Sequence, residues 1–276
     1  MFRFKTIIYI LTALAICPLS PQAQIYKPRA VTALLGAFDE EIKLLRQELK
    51  NPKEQVLHGI KFYSGRLNGK RVVIAGTGIG KVNAAMTTAL LLRQFRPKRV
   101  LFTGIAGGLH PDLQPGDIVL AQQTLQHDFG AVTNDKFTIW ETRNPVIRQK
   151  NPVYFQADSL LLVAAQNAAQ QTQFHKLTNE GRLPKVRTGV VATGDQFISS
   201  ETKVQQLRID FKADAVEMEG AAVAQVCWQQ KVPCLIIRSI SDKADSNAHE
   251  TMINFTETAA YNSANLLISF LGKLLD

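Results

Sequence analysis

The 276-residue chain has only three cysteines and two tryptophans, and its five histidines, at 58, 110, 127, 175 and 249, show no metal-ligand spacing. There is no HExxH helix and no paired CxxC, so no metal site is expected. A GxSxG elbow is also missing, which removes support for a nucleophilic serine. The run Gly76-Thr-Gly-Ile-Gly-Lys81 fails as a phosphate-binding P-loop because Ala75 and Val82 stand where glycine and Ser/Thr are required. Gly104-Ile-Ala-Gly-Gly108 follows an apolar run without completing a dinucleotide fingerprint, and no cofactor is expected. Internal repeats and low-complexity tracts are absent too. What remains is 46% hydrophobic and 20% charged, the composition of an ordinary globular protein.

The first residues depart from that composition. Met1-Phe-Arg-Phe-Lys5 is a basic start, Thr6 to Ile16 an apolar stretch, and Pro18-Leu-Ser-Pro21 breaks any helix before Ala23. This predicts a cleaved signal peptide over 1–23 and a single domain over 24–276 in a periplasmic or secreted protein. The apolar stretch is too short to span a bilayer, so no membrane association is expected after cleavage; an uncleaved tether is the alternative. Ile16 before Cys17 argues against a lipoprotein anchor, where a small residue is needed.

Loss of Arg3 and Lys5 leaves 30 basic against 23 acidic residues. The cations are dispersed over 43–53, 93–99 and 176–187, without the clustered stripe or interleaved aromatics of a nucleic-acid groove, and no nucleic-acid partner is expected. Cys227 and Cys234 both read as core packing residues, with a disulfide conceivable in an oxidising compartment.

Short apolar runs alternate with helical periodicity. Strands are expected at 31–36, 60–67, 71–75, 99–103, 117–126, 186–192 and 234–240, and helices at 40–49, 81–95, 158–171, 219–229 and 250–272. Asn68-Gly69 marks a hairpin between the second and third strands. The alternation predicts an α/β sheet, with 131–157 as its one long irregular stretch.

Acidic residues at strand ends are the chemical signal. Asp39, Glu40 and Glu41 follow the glycine that closes the first strand, which is equally what helix N-terminal charge bias would give. Glu217-Met218-Glu219 sits between Ala213-Asp-Ala-Val216 and the small-residue helix Gly220-Ala-Ala-Val-Ala224, so at least one acid enters a tightly packed region and needs a partner or a task. Asp242 ends the apolar run 234–240 after Ser241, at the carboxyl end of a strand, where open α/β sheets place ligands; a turn cap is the plainer explanation. The side-chain-poor Gly104-Ile105-Ala106-Gly107-Gly108 allows a ligand to approach the backbone, or is only a tight turn.

Seven runs taken together resemble the methylthioadenosine/S-adenosylhomocysteine nucleosidases of the nucleoside phosphorylase superfamily: Gly36-Ala-Phe-Asp-Glu-Glu41, Gly76-Thr-Gly-Ile-Gly-Lys81, Thr103-Gly-Ile-Ala-Gly-Gly-Leu109, Gly116-Asp-Ile-Val119, Thr193-Gly-Asp-Gln-Phe-Ile198, Ala215-Val-Glu-Met-Glu219 and Arg238-Ser-Ile-Ser-Asp242. Order and spacing fit over 31–272. The resemblance implies a three-layer α/β/α sandwich around a twisted mixed sheet, a homodimer, and hydrolysis that releases adenine from an adenine nucleoside.

It also implies roles. Glu41 would activate water, Glu219 bind the ribose hydroxyls and Asp242 protonate the purine. Phe197 would stack on adenine, Ile198 meet the purine edge through its backbone, and Met218 lie under the ribose. Phe38 and Phe255 would line the pocket, while Arg238 and Ser241 would organise the water and the acid. Ile105, Ala106, Gly107 and Glu217 complete the expected substrate contacts. Two departures stand out: Ile105 replaces the usual serine, and 131–157 is longer than usual where a neighbouring subunit closes the 5′ pocket. A purine nucleoside phosphorylase and a non-catalytic nucleoside binder are the competing readings. The acidic Phe38-Asp39-Glu40-Glu41 run disfavours the first by repelling phosphate, and retention of all three acids disfavours the second.

Overall fold

The computed structural model describes residues 30–274 apart from 135, 146 and 177–180; the expected signal peptide lies outside them. In chain order the elements are β1 (Val31–Gly36), α1 (Asp39–Gln47), β2 (Lys50–Leu57), β3 (Ile60–Leu67), β4 (Lys70–Gly76) and α2 (Lys81–Phe95). Next come β5 (Arg99–Phe102), β6 (Ile105–Gly108), β7 (Ile118–Gln126), β8 (Gly130–Val132), β9 (Phe137–Ile139), β10 (Phe155–Gln156) and α3 (Ser159–Ala169). The chain ends with β11 (Val186–Thr193), α4 (Glu201–Phe211), β12 (Ala215–Glu217), α5 (Gly220–Gln229), β13 (Cys234–Asp242) and α6 (Ala248–Lys273).

Eleven strands form one mixed sheet in the order β10-β7-β11-β12-β6-β13-β5-β1-β4-β3-β2, and β7 also pairs antiparallel with β13. The central strands are buried on both faces, which is why they read as continuous apolar runs rather than alternating ones. On one face, Ala84 and Leu91 of α2 and Ala222, Val223 and Cys227 of α5 pack with Val100, Phe102 and Ile236. On the other, Ile42 and Leu45 of α1, Leu161 and Ala165 of α3 and Leu266, Leu267 and Phe270 of α6 pack with Leu34, Leu101 and Ile237. This is the expected three-layer α/β/α sandwich. No helix among the described residues is long and apolar enough to cross a membrane.

Where the structure departs from the sequence expectations, the reasons are physical. The edge strand β2, Lys50-Asn-Pro-Lys-Glu-Gln-Val-Leu57, has seven of its eight residues exposed and is held by its ladder to β3, so no hydrophobic pattern marks it. Helix α4 buries only Leu207 and is announced by a Ser200 cap that accepts from the Lys203 amide at 3.3 Å. The 131–157 stretch contains the small β8–β9 hairpin and the two-residue β10, too short for periodicity to register. Cys227 and Cys234 are both buried and both free, so no disulfide forms between them in this structure.

Candidate active site

Strand β6 is four residues long, and its smallness lets two acids close in on it. Glu41, in the first turn of α1 and 2% exposed, accepts the amides of Ala37 and Ile105, the latter at 2.9 Å. A Cβ on Gly104 would stand 2.6 Å from Glu41 Oε1 and 3.0 Å from Arg238 Nη1, so only glycine fits between them. Two residues after Ile105, Gly107 pairs with Asp242 across a register shift in β13, and a Cβ there would stand 3.0 Å from Asp242 Oδ1. Successive strand residues rise by ~3.3 Å, so β6 spaces its two acid contacts by about 7 Å.

Burial raises the carboxyl of Asp242 above its ordinary range, against the opposing hydrogen bonds from Ser241 and from the Ala244 amide. Those bonds are 2.7 Å to Ser241 Oγ and 2.8 Å to the Ala244 nitrogen. Burial likewise pushes Glu41 up to about 7, with the Arg238 guanidinium and the two backbone amides pulling the other way. The energetic reason is common to both: an ionised carboxylate with little water around it must be compensated, and here compensation is partial.

Arg238 is the cation of the cluster and is 1% exposed. Its Nε and Nη2 donate to one oxygen of Glu217 at 3.2 and 2.7 Å, its Nη1 reaches the carbonyls of Phe102 and Ile237, and its guanidinium lies 4.1 Å from the Phe102 ring centroid. The same Glu217 oxygen accepts the amides of Glu219 at 3.0 Å and Gly220 at 2.7 Å, and the other accepts Thr193 Oγ1. Both Glu217 oxygens are engaged by protein donors, through which it orients Arg238 and the head of α5.

Glu219, 6% exposed, immediately precedes α5 and spends one oxygen on the Gly80 amide at 2.8 Å. Burial and the neighbouring Glu217 carboxylate push it up to about 8, against Arg238 and the Gly80 amide. Met218 between the two glutamates is partly buried, as are Phe38 and Ile105, and Ala106 is buried. Phe197 is 47% exposed and meets the His249 ring edge-on at 6.2 Å, whereas Ile198 is buried in the small core under α4. Ser199 Oγ and the Ser200 amide bond the carbonyls of Asp245 and Ala244, fastening the Phe197 segment to the turn after Asp242. Phe255 is partly buried on α6.

The structure thus joins Glu41, Arg238, Glu217 and Glu219 in one polar cluster, with Ser241 and Asp242 at the end of β13, where Asp242 pairs with Gly107 of β6. Thr193, Gly80 and His249 were not singled out as site residues by sequence reasoning. Thr193 and Gly80 lie inside recognised runs, but their bonds to Glu217 and Glu219 span 24 and 139 residues, which no local pattern encodes. Among the described residues no group of three or more His, Cys, Asp or Glu side chains is arranged to hold a metal ion.

A mixed sheet with acids converging on strand carboxyl ends defines the class, and the family model described as the Phosphorylase superfamily matches residues 31–272. A 5′-methylthioadenosine/S-adenosylhomocysteine nucleosidase of Geobacillus sp. (strain WCH70) is 38% identical over 244 residues, covering 88% of this chain and 98% of the relative. The crystal structure of the nucleosidase of that name from Neisseria meningitidis, in complex with methylthio-immucillin-A, superposes with a TM-score of 0.77 at 39% identity, covering 88% of this chain and 99% of the other. Futalosine hydrolase of Helicobacter pylori gives a TM-score of 0.77 at 34% identity, covering 89% and 98%. The chain belongs to the 5′-methylthioadenosine/S-adenosylhomocysteine nucleosidase family of that superfamily.

Proposed function

We propose that this protein hydrolyses the N-glycosidic bond of 5′-methylthioadenosine, S-adenosylhomocysteine or a related adenine nucleoside, releasing adenine and the thioribose. The observation that carries the reading is the placement of two buried acids, Glu41 and Asp242, two residues apart along β6. Breaking this bond builds positive charge on the ribose and negative charge on the base. Asp242, whose protonated form burial favours, gives its proton to purine N7 as the C1′–N9 bond breaks. Water adds to C1′ from the opposite face and loses its proton to Glu41, so the ribose is inverted. Solvent then returns the proton to Asp242 and removes it from Glu41.

Glu219 accepts the ribose hydroxyls, Met218 lies beneath the sugar, Phe197 stacks on adenine, Ile198 reads the purine edge, and Phe38 and Phe255 enclose the nucleoside. Arg238 and Ser241 orient Glu41 and Asp242. Ile105 brings no hydroxyl to the attacking water, which is left to Glu41 and to the Arg238 that organises it. Phosphorolysis is disfavoured because the cation of this cluster, Arg238, is engaged by Glu217 and the attacking side is acidic. Incubating residues 24–276 with methylthioadenosine in phosphate-free buffer should release adenine at the rate seen with phosphate; release only with phosphate would make the protein a phosphorylase.

Gly104→Ala is expected to displace Glu41 and Arg238 together and lower turnover by roughly 10²-fold, the scale of an ångström-sized misplacement. Saturating nucleoside should not restore the rate; a variant within threefold of the native kcat would remove the strand from the argument.

The reading extends to assembly and address. Ile79, Val82 and Met86 form one exposed apolar stripe at the head of α2, at 58, 77 and 47% exposure, with Phe129 and Val132 also exposed. A second copy of the chain covers this surface, and light scattering at micromolar concentration should give a dimer. Residues 1–23 act as a leader for export to the periplasm or beyond, which N-terminal sequencing of the secreted form would check.

A further inference from the structure

Two features beside the proposed site have not been assigned a role, Lys81 at the end of the Gly76–Lys81 turn and the His127-Asp128 pair. They meet in the fold. Lys81 Nζ lies 2.5 Å from Asp128 Oδ1, and both side chains are only 17% exposed. The second oxygen of Asp128 accepts the Asp195 amide at 2.8 Å, and Asp195 Oδ1 in turn accepts the Lys81 amide at 2.7 Å. Burial opposes ionisation of Asp128, but the bonds from Lys81 and Asp195 outweigh it and hold the carboxyl below its usual range.

Each end of this ring leads to a different half of the proposed site. Lys81 opens α2 directly after Gly80, whose amide holds the Glu219 carboxylate. Asp195 lies on the segment that carries Phe197 and Ile198. Just before Asp128, the His127 amide bonds the Thr193 carbonyl at 2.9 Å, and the buried imidazole lies so close to Gly194 that a Cβ there would stand 2.3 Å from Nε2. The contact face is thus shaped for glycine, and the segment is seated against both residues of the His127-Asp128 pair.

We propose that the Lys81–Asp128 ion pair is a clasp that positions the nucleoside site, fixing the ribose-binding Glu219 in register with the base-binding segment 194–198. The proposal rests on the nucleosidase reading of that site. Lys81 and Asp128 are positioning residues and need not touch the nucleoside. Glu41 and Asp242 are held instead by β6 and β13, which the clasp does not touch, so its loss should weaken binding far more than the chemical step. Removing a merely stabilising ion pair would lower the melting temperature and leave KM alone.

The test uses Lys81→Met, Asp128→Asn, the double variant and Lys81→Arg, with KM and kcat for adenine release, melting temperature, and hydrogen exchange of the peptide spanning 194–200. Each single variant should raise KM by about tenfold or more with kcat within about threefold, corresponding to ~1.4 kcal/mol of binding. The double variant should be no worse than the poorer single one, because both remove the same interaction. Lys81→Arg should recover most of the lost KM, and exchange over 194–200 should accelerate in the first three variants. Asp128→Asn preserves shape and guards against a Lys81→Met protein that does not fold. Unchanged KM with a lower melting temperature, additive effects in the double variant, or unchanged exchange would each overturn the clasp. If the native protein releases adenine from no nucleoside, the nucleosidase reading fails separately, and the exchange measurement alone decides whether the pair holds the segment.

Discussion

Asp242→Asn should fold normally and release adenine roughly 10²–10⁴-fold more slowly than the native protein, the span associated with loss of a positioned general acid. Asparagine preserves the shape of the side chain, its oxygen can still accept from the Ala244 amide, and Ser241 keeps a partner. What disappears is the carboxyl that can carry a transferable proton, the form burial favours. The loss should fall on kcat, since protonation of the base develops in the transition state rather than in the bound nucleoside. Two measurements separate this from misfolding: the melting temperature, expected to stay near the native value, and affinity for adenine, expected to persist. Near-native turnover would transfer the proton donor to another group and dismantle the proposed mechanism.

Glu41→Gln should abolish hydrolysis to a comparable degree and at the same time change how stability depends on pH. The carboxyl normally ionises near 4.5 but in the fold near 7. Between those values the folded protein holds a proton that the unfolded chain has released, so the stabilising contribution of this group is complete below pH 4.5 and is lost as pH rises toward 7. The shift corresponds to roughly 3 kcal/mol at pH 8. Glutamine carries no such penalty, although it exchanges one of the two amide bonds from Ala37 and Ile105 for a poorer contact. The difference in melting temperature between variant and native protein should therefore move in the variant's favour from pH 5 to pH 8; a constant difference would show that Glu41 is not held at a raised pKa. In the native enzyme, kcat/KM should climb with pH through about 7 as Glu41 becomes available as a base.

The buried strands and most of the helices were legible because burial leaves a chemical trace. Continuous apolar runs such as Cys234 to Ile240 have nothing to gain from alternation when both faces are covered. Asn68-Gly69 revealed a hairpin because both residues adopt positive φ, 45° and 77°. The edge strand β2 and helix α4 were silent, since one is almost entirely exposed and the other buries a single side chain. Candidate acids were visible as carboxylates at strand ends, and the family resemblance divided roles among them. Their electrostatics were not visible. Whether Glu217 meets a ligand or is saturated by Arg238, Thr193 and two backbone amides depends on contacts that join distant parts of the chain. The clasp partners Lys81 and Asp128 lie 47 residues apart, and nothing local to either marks them as a pair.

The four-residue strand β6 has a consequence for how such a protein can diversify. Glu41 leans on Gly104, just before the strand, and Asp242 on Gly107 within it, each with little room for a Cβ, so a substitution at either disturbs water activation or base protonation directly. The segments that would meet the base and the 5′ group are loops fastened at a few points, where sequence can drift without moving the acids. New substrate preferences should therefore accumulate in the loops while the strand stays frozen. That division would let a single catalytic frame serve more than one nucleoside.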